Sequence, residues 1–343
     1  MKDNGLIISC VIIFFIFSMI NLIDYNFFFV KQIIWYILGF IIYFIMKKLN
    51  RRSVIRLSVL LYIILNVLLL YLLIFGSETN GSKAWINIGK MSIQPSELLK
   101  VVLIVVLSYM TCKKHYVIKS FVLTLIPAVL TFLEPETGNV IFYFVIFVSC
   151  IMFNSSNFKA FKILFSSMIF ILSVLFSLYY FYNDLFIGIF GYKIFYRIDR
   201  IISFLNSNYQ LNQALIAMGT SYLFGGISSN FIPEAKTDFA FALLVSKVGF
   251  LRILVYLAVN FLFNICVINK IKRNYGVMKL IISSFIVLKI FQESIHILMN
   301  IGFFPITGIT LPFISYGGTS IITYFYILGI ISNSSMDNSL DKH

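Results

Sequence analysis

The residues best suited to chemistry lie at 230–241. There Asn230-Phe231-Ile232-Pro233-Glu234-Ala235-Lys236-Thr237-Asp238-Phe239-Ala240-Phe241 carries a polar loop into a long apolar segment. An ionised carboxylate at such a boundary is costly unless it has a task. Asp238, fixed at the rim of a bilayer, is suited to act as general base toward a substrate whose tail lies in the lipid. Glu234 and Lys236 precede it in the same loop segment.

Four further constellations carry polar residues at meaningful spacing. In Ile93-Gln94-Pro95-Ser96-Glu97-Leu98-Leu99-Lys100, Pro95 fits the first turn of a helix that Gln94 or Ser96 caps. Glu97 and Lys100 then share one face, as a structural salt bridge or as a charged cavity lining. Glu134-Pro135-Glu136 joins two apolar runs; its acids either grip a cation or a sugar hydroxyl, or lie solvated in a tight turn. Arg197 and Arg200 place two guanidinium forks on one side of a helix, as a pyrophosphate grip or as interfacial anchors. Thr307 to Ser320, which includes Ser315, has the Gly and Pro content of irregular backbone buried at membrane depth. Just before it, Lys289 and Glu293 are spaced to neutralise one another inside a bundle, a structural pair.

The elements that must position these residues are membrane helices. Of the 343 residues 60% are hydrophobic and 12% charged, a balance foreign to a soluble domain of this length. The fold class is therefore all-α and polytopic, with ten apolar runs at 6–23, 27–46, 54–75, 97–111, 117–133, 139–153, 161–182, 239–268, 278–299 and 312–332. The first is read as a retained helix, because no small-residue cleavage site follows it. The run at 239–268 is too long for one straight span, so it tilts or includes a stretch outside the hydrocarbon core. Residues 1–332 form one membrane domain, and 333–343 a short polar, disordered tail.

Basic residues concentrate at 47–52, 113–119, 154–162 and 270–279, which places those loops and both termini in the cytoplasm. The net charge of +14 is then a topology and anionic-lipid signal, with no folded basic face for nucleic acid. On this topology the external connections are 76–96, 134–138, 183–238 and 300–311, with a short one near residue 24; the polar, Gly/Pro-punctuated sequence gathers there. The four cysteines stand singly and His115, His296 and His343 lie far apart, so no metal ligand set and no cofactor is expected. The sequence leaves a divalent-cation requirement open.

Taken together and in order, these segments resemble the SEDS family of bacterial membrane glycosyltransferases, the RodA/FtsW/SpoVE group. The family's Gly, Trp and Gly followed by Gln-Pro-Ser-Glu is similar to Gly81, Trp85, Gly89 and Gln94 to Glu97. Its Pro-Glu-x-x-Thr-Asp-Phe-x-Phe matches Pro233 to Phe241, and its Pro-x-Thr-Gly-x-x-Leu-Pro-x-x-Ser-Tyr-Gly-Gly matches Pro305 to Gly318. The resemblance implies an enzyme that polymerises lipid II, the undecaprenyl-pyrophosphate-linked disaccharide-pentapeptide, on the outer face of the cytoplasmic membrane. It implies a class B penicillin-binding protein as partner, and service in elongation, division or sporulation.

The family's essential aspartate falls on Asp238, and Glu97 and Lys100 fall on positions that support a central cavity. Glu97, Lys100, Glu136, Arg197, Arg200, Glu234, Lys236 and Ser315 are the candidate substrate contacts. The chain departs from the pattern at Glu136 (usually Asp), Lys236 (usually His), Ser246 and Lys247 (usually an acidic pair) and His296 (usually Asn). A lysine at 236 is expected to lower the aspartate's pKa. Two other readings stand beside the enzyme: a flippase or transporter of lipid-linked precursors, and a non-catalytic scaffold for a penicillin-binding protein.

Overall fold

The computed structural model describes residues 2–77, 83–89, 91–113, 115–134, 136–154, 181–182, 185, 187–188, 209–226 and 231–333. In chain order the elements are helices α1 (Lys2–Leu22), α2 (Asn26–Lys48) and α3 (Arg51–Phe75) and strands β1 (Ile86–Ile88) and β2 (Met91–Ile93). Helices α4 (Pro95–Met110), α5 (Tyr116–Leu133), α6 (Thr137–Phe153), α7 (Tyr209–Gly219), α8 (Ala240–Arg273), α9 (Gly276–Asn300) and α10 (Gly318–Ile331) follow. Six helices among the described residues are long and apolar enough to cross a membrane: α1, α2, α3, α5, α8 and α9. The protein is a multi-pass, all-α membrane protein.

Helix position in the bundle follows from composition. In their most apolar windows α2 and α3 are 28% buried, while α9 is 72% buried, so the first two face lipid and α9 lies at the centre. Beside α9 stand α4 and α10, buried on nearly every side. Helix α2 lies close against α10 because a Cβ at Gly318 would meet the Trp35 ring at 1.9 Å. Small residues allow such backbone approach in membranes, where dispersion replaces the hydrophobic drive between helices.

Nine of the ten predicted runs are helices within a few residues of the expected bounds; the run at 161–182 lies almost wholly outside the described residues. The last run begins later than expected. Residues 312–317 are irregular, with Phe313 at φ +65, and α10 starts only at Gly318. The long run at 239–268 is resolved by a break: Gly249 sits at φ +79 inside α8. The amides of Phe250 and Leu251, freed there from the helix, donate to the carbonyls of Tyr222 and Leu223 (3.1 and 3.0 Å). A Cβ at Gly249 would lie 2.1 Å from the amide nitrogen of Gly225, so that docking requires glycine. Helix α7 and the β1–β2 hairpin are not among the expected elements, being too short for a periodicity reading.

The two ends of the bundle differ. One end is closed by basic side chains on carbonyls and carboxylates: Lys270 donates to Ile331 O at 2.8 Å, and Arg273 pairs with Asp3. Asn333 belongs to this end, donating to Met46 O and Leu49 O at 3.0 and 2.6 Å. The other end gathers the turn at 23–25, strands β1 and β2, Glu134 and Glu136, the 233–239 turn and the 301–317 segment.

Candidate active site

The 233–239 segment is a single tight turn. Glu234 stands at φ +49, and its carbonyl accepts from the amides of Thr237, Asp238 and Phe239 at 3.1–3.2 Å. A non-glycine residue in the left-handed region is strained, and the surrounding structure must hold it there. The 305–318 segment does so. Ser315 Oγ donates to Thr237 O (2.8 Å) and accepts from Leu311 N (2.8 Å), while Tyr316 N donates to Lys236 O (2.8 Å). Ser315 thus braces the turn through its backbone.

Two residues of α9 hold the other side. Asn300 Nδ2 donates to Asp238 O (3.0 Å) and its Oδ1 accepts from Ala242 N (3.0 Å). His296 Nε2 accepts from Phe241 N (3.4 Å), which leaves the proton on Nδ1 to donate to Ile309 O at 2.6 Å. These side chains satisfy the free amides at the start of α8 from outside the helix. Asn21, at the end of α1, adds a bond to Ala240 O at 3.1 Å.

The Asp238 carboxylate, half-buried, pairs with no cation among the described residues. Its Oδ2 lies 3.8 Å from where Gly308 would carry a Cβ, so glycine there keeps the space beside the carboxylate open. Burial, then the charge of Glu234, raises its pKa to about 6. Lys236 does not lower it. Its ammonium points away, over the rings of Phe28 (3.9 Å) and Tyr25 (5.0 Å), so the expected depression is replaced by an elevation.

A second carboxylate group approaches from α4 and α6. Glu136 is half-buried and accepts from Gln94 Nε2 and from Asn139 Nδ2 (3.1 Å). Burial, then the charge of Glu97, raises its pKa to about 7, with a smaller contribution from Asp238. Glu134 is 0% exposed, and burial followed by Glu136 lifts it to about 8. The reading of a turn with solvated acids is therefore overturned for Glu134. Neither Gln94 nor Ser96 caps α4 with its side chain; Gln94 turns to Glu136, and Ser96 Oγ accepts from Asn139 at 3.1 Å. The 134–138 connection also touches the Asp238 side of the site, since a Cβ on Gly138 would lie 3.2 Å from Thr307 O.

Beneath them Glu97 and Lys100 form a buried ion pair at 2.9 Å. Lys100 also donates to Gln292 Oε1 (3.2 Å), which accepts from Tyr324 OH (3.0 Å) as well. Gln292 Nε2 in turn donates to Thr310 O at 2.9 Å, so one amide joins α4, α9, α10 and the 305–318 segment. The site thus brings together Glu97, Lys100, Glu136, Glu234, Asp238 and Ser315, with Lys236 at its margin. Arg197 and Arg200 lie outside the described residues. Sequence reading missed Asn139, Tyr324 and Asn300 as site partners, because a polar residue inside or at the end of an apolar run carries no sign of what it faces. Among the described residues no group of His, Cys, Asp and Glu is arranged to hold a metal.

Fold and site together define a class: a multi-pass membrane protein with a carboxylate-lined site at one end of its bundle. The chain belongs to the FtsW/RodA/SpoVE family of cell cycle proteins, whose model matches residues 4–340. It is 30% identical over 348 residues to the probable peptidoglycan glycosyltransferase FtsW of Wigglesworthia glossinidia brevipalpis, covering 93% of this chain and 87% of that protein. It is 31% identical over 293 residues to the stage V sporulation protein E of Bacillus subtilis strain 168, covering 76% of this chain and 73% of that one. In fold it resembles a chain of a peptidoglycan synthase complex that coordinates polymerization and crosslinking, with TM-score 0.80, 22% identity and 98% of each chain covered. The rod shape determining protein RodA of Thermus thermophilus matches with TM-score 0.70 and 22% identity, over 98% of this chain and 97% of that one.

Proposed function

We propose that this chain is a peptidoglycan glycosyltransferase that polymerises lipid II into glycan strands at the outer face of the cytoplasmic membrane. Relatives that bear that activity in their names support the reaction class. The observation that carries the mechanism is Asp238. Its backbone is clamped from α9 and the 305–318 segment, while its carboxylate, with no cation partner among the described residues, lies beside the open Gly308. A carboxylate with its pKa lifted toward neutrality is a better proton acceptor than a solvated one, yet is mostly ionised at pH 7. Asp238 takes the proton of the acceptor sugar's 4-hydroxyl as that oxygen attacks the donor's anomeric carbon. The bond from that carbon to the lipid pyrophosphate breaks, and the pyrophosphate leaves with the electron pair. Glu136, held by Gln94 and Asn139, faces the same space as a substrate contact.

The N- and C-termini lie in the cytoplasm on this reading, because the basic end of the bundle is the inner one. The partner is a class B penicillin-binding protein that crosslinks the new strands, in keeping with the synthase complex whose chain shares this fold. The test is polymerisation of labelled lipid II by purified protein in liposomes with such a partner. Parent protein makes glycan strands, and a normally folded Asp238→Asn protein loses about 100-fold or more of the rate. Equal strand formation by both would remove Asp238 from the mechanism.

A further inference from the structure

Lys100, Lys289, Lys247 and Lys236 stand within or beside the described bundle, and the first three are neutralised. Lys100 pairs with Glu97 at 2.9 Å, Lys289 with Glu293 at 2.6 Å and Lys247 with Asp24 at 2.7 Å. Lys247 also donates to Asn21 O at 2.8 Å, so it tethers α8 to the end of α1 at the departure from the family's acidic pair. Lys236 alone of the four has no carboxylate partner among the described residues. Its ammonium is held by the faces of Phe28 and Tyr25, which fix its position without cancelling its charge. Phe28 is fixed in turn by an edge-on contact with Tyr316, 4.8 Å between ring centroids.

The place is informative. Lys236 is two residues from the catalytic candidate Asp238 and turns toward the α1–α2 corner, whose Ile23, Phe27 and Val30 are exposed on the lipid-facing surface. A lipid-linked sugar reacting at Asp238 has its pyrophosphate between the sugar and the polyprenyl tail. That group must lie where the polar site meets the lipid boundary, and Lys236 occupies this margin. We propose that Lys236, in its Tyr25/Phe28 cradle, is a binding site for the pyrophosphate of the lipid-linked substrate, a use open to this chain because it carries lysine there. The proposal rests on the lipid-linked substrate inferred above. A fixed ammonium with no carboxylate partner among the described residues offers charge-assisted hydrogen bonds to phosphate oxygens at little cost in ordering.

Binding tests this separately from catalysis. Purified full-length parent, Lys236→Gln and Lys236→Arg proteins in uncharged detergent are titrated with undecaprenyl pyrophosphate, undecaprenol and phosphatidylglycerol. Lys236→Gln weakens undecaprenyl pyrophosphate about tenfold, Lys236→Arg stays near the parent, and undecaprenol and phosphatidylglycerol are unaffected. An unchanged pyrophosphate affinity, or absence of parent binding, overturns the site. An equal loss for undecaprenol assigns Lys236 to packing, and an equal loss for phosphatidylglycerol makes it a general headgroup contact; either overturns the proposal. An unchanged melting temperature across the three proteins keeps folding out of the result. Failure of the polymerisation assay would overturn the enzyme reading without altering these affinities.

Discussion

Two clusters of buried charge stand in this bundle, and they are built on opposite plans. Around Lys289 the ammonium and both carboxylate oxygens of its partner are used. The ammonium donates to Glu293 Oε1 (2.6 Å), Asn260 Oδ1 (2.6 Å) and Asn264 Oδ1 (3.0 Å), and Glu293 Oε2 accepts from Asn260 Nδ2 (3.0 Å). That cluster joins α8 to α9 and leaves neither its ammonium nor its carboxylate open. Around Glu97 the plan is incomplete: Glu97 Oε2 and both carboxylate oxygens of Glu134 find no hydrogen-bond partner among the described residues. Asp238, nearby, pairs with no cation among them. A buried charge that is fully satisfied is structural; leaving buried acceptors open costs stability and is tolerated where a site needs them. Both clusters read alike in sequence, as an acid and a lysine three or four residues apart.

Single replacements separate the two clusters. Lys289→Met leaves Glu293 buried without its cation and is expected to cost about 3–5 kcal/mol, read as a large drop in melting temperature in detergent. The rate of the protein that remains folded should be nearly that of the parent. A smaller effect is expected from Asn300→Leu. It frees the Asp238 carbonyl and the Ala242 amide, lowering kcat about tenfold with little change in KM, as a positioning residue should. Smaller again is the pH dependence. Asp238 must be ionised to accept a proton, so kcat/KM should rise with pH through a midpoint near 6. The smallest effect is that of Glu234→Gln. Glu234's charge raises the Asp238 pKa, so its removal should move that midpoint to lower pH by less than one unit. A shift upward, or no acid limb at all, would separate the rate from this carboxylate.

The membrane architecture is legible in the sequence because the bilayer demands apolar runs of fixed length and basic flanks, and both are local. The motif residues are legible for the same reason: Pro233 to Phe241 and Pro305 to Gly318 are contiguous. What closes the site is not local. Gln94 and Glu136 meet across 42 residues, and Lys100 and Gln292 across 192. Nothing in the chain near Lys236 shows that its ammonium turns to Phe28 rather than to Asp238, so sequence reasoning expects a depression of the aspartate's pKa where burial and Glu234 raise it. The start of α10 reads early because Pro312 to Tyr316 is apolar enough to pass for helix. Its backbone is instead spent on Tyr36, whose hydroxyl donates to Phe313 O at 2.5 Å, and on the Asp238 turn, where Tyr316 N donates to Lys236 O.

The most direct measurement replaces both partners of each charged cluster and follows lipid II polymerisation side by side. Lys289→Leu with Glu293→Leu removes a closed structural pair, and Glu97→Leu with Lys100→Leu removes the floor of the open one. Replacing both members of a buried pair leaves no stranded charge, so both proteins should fold. The first protein should make glycan strands at a rate near that of the parent, and the second about 100-fold fewer. Equal activity from the two folded proteins, or loss confined to the Lys289 pair, would contradict the assignment of the open cluster as the site of chemistry.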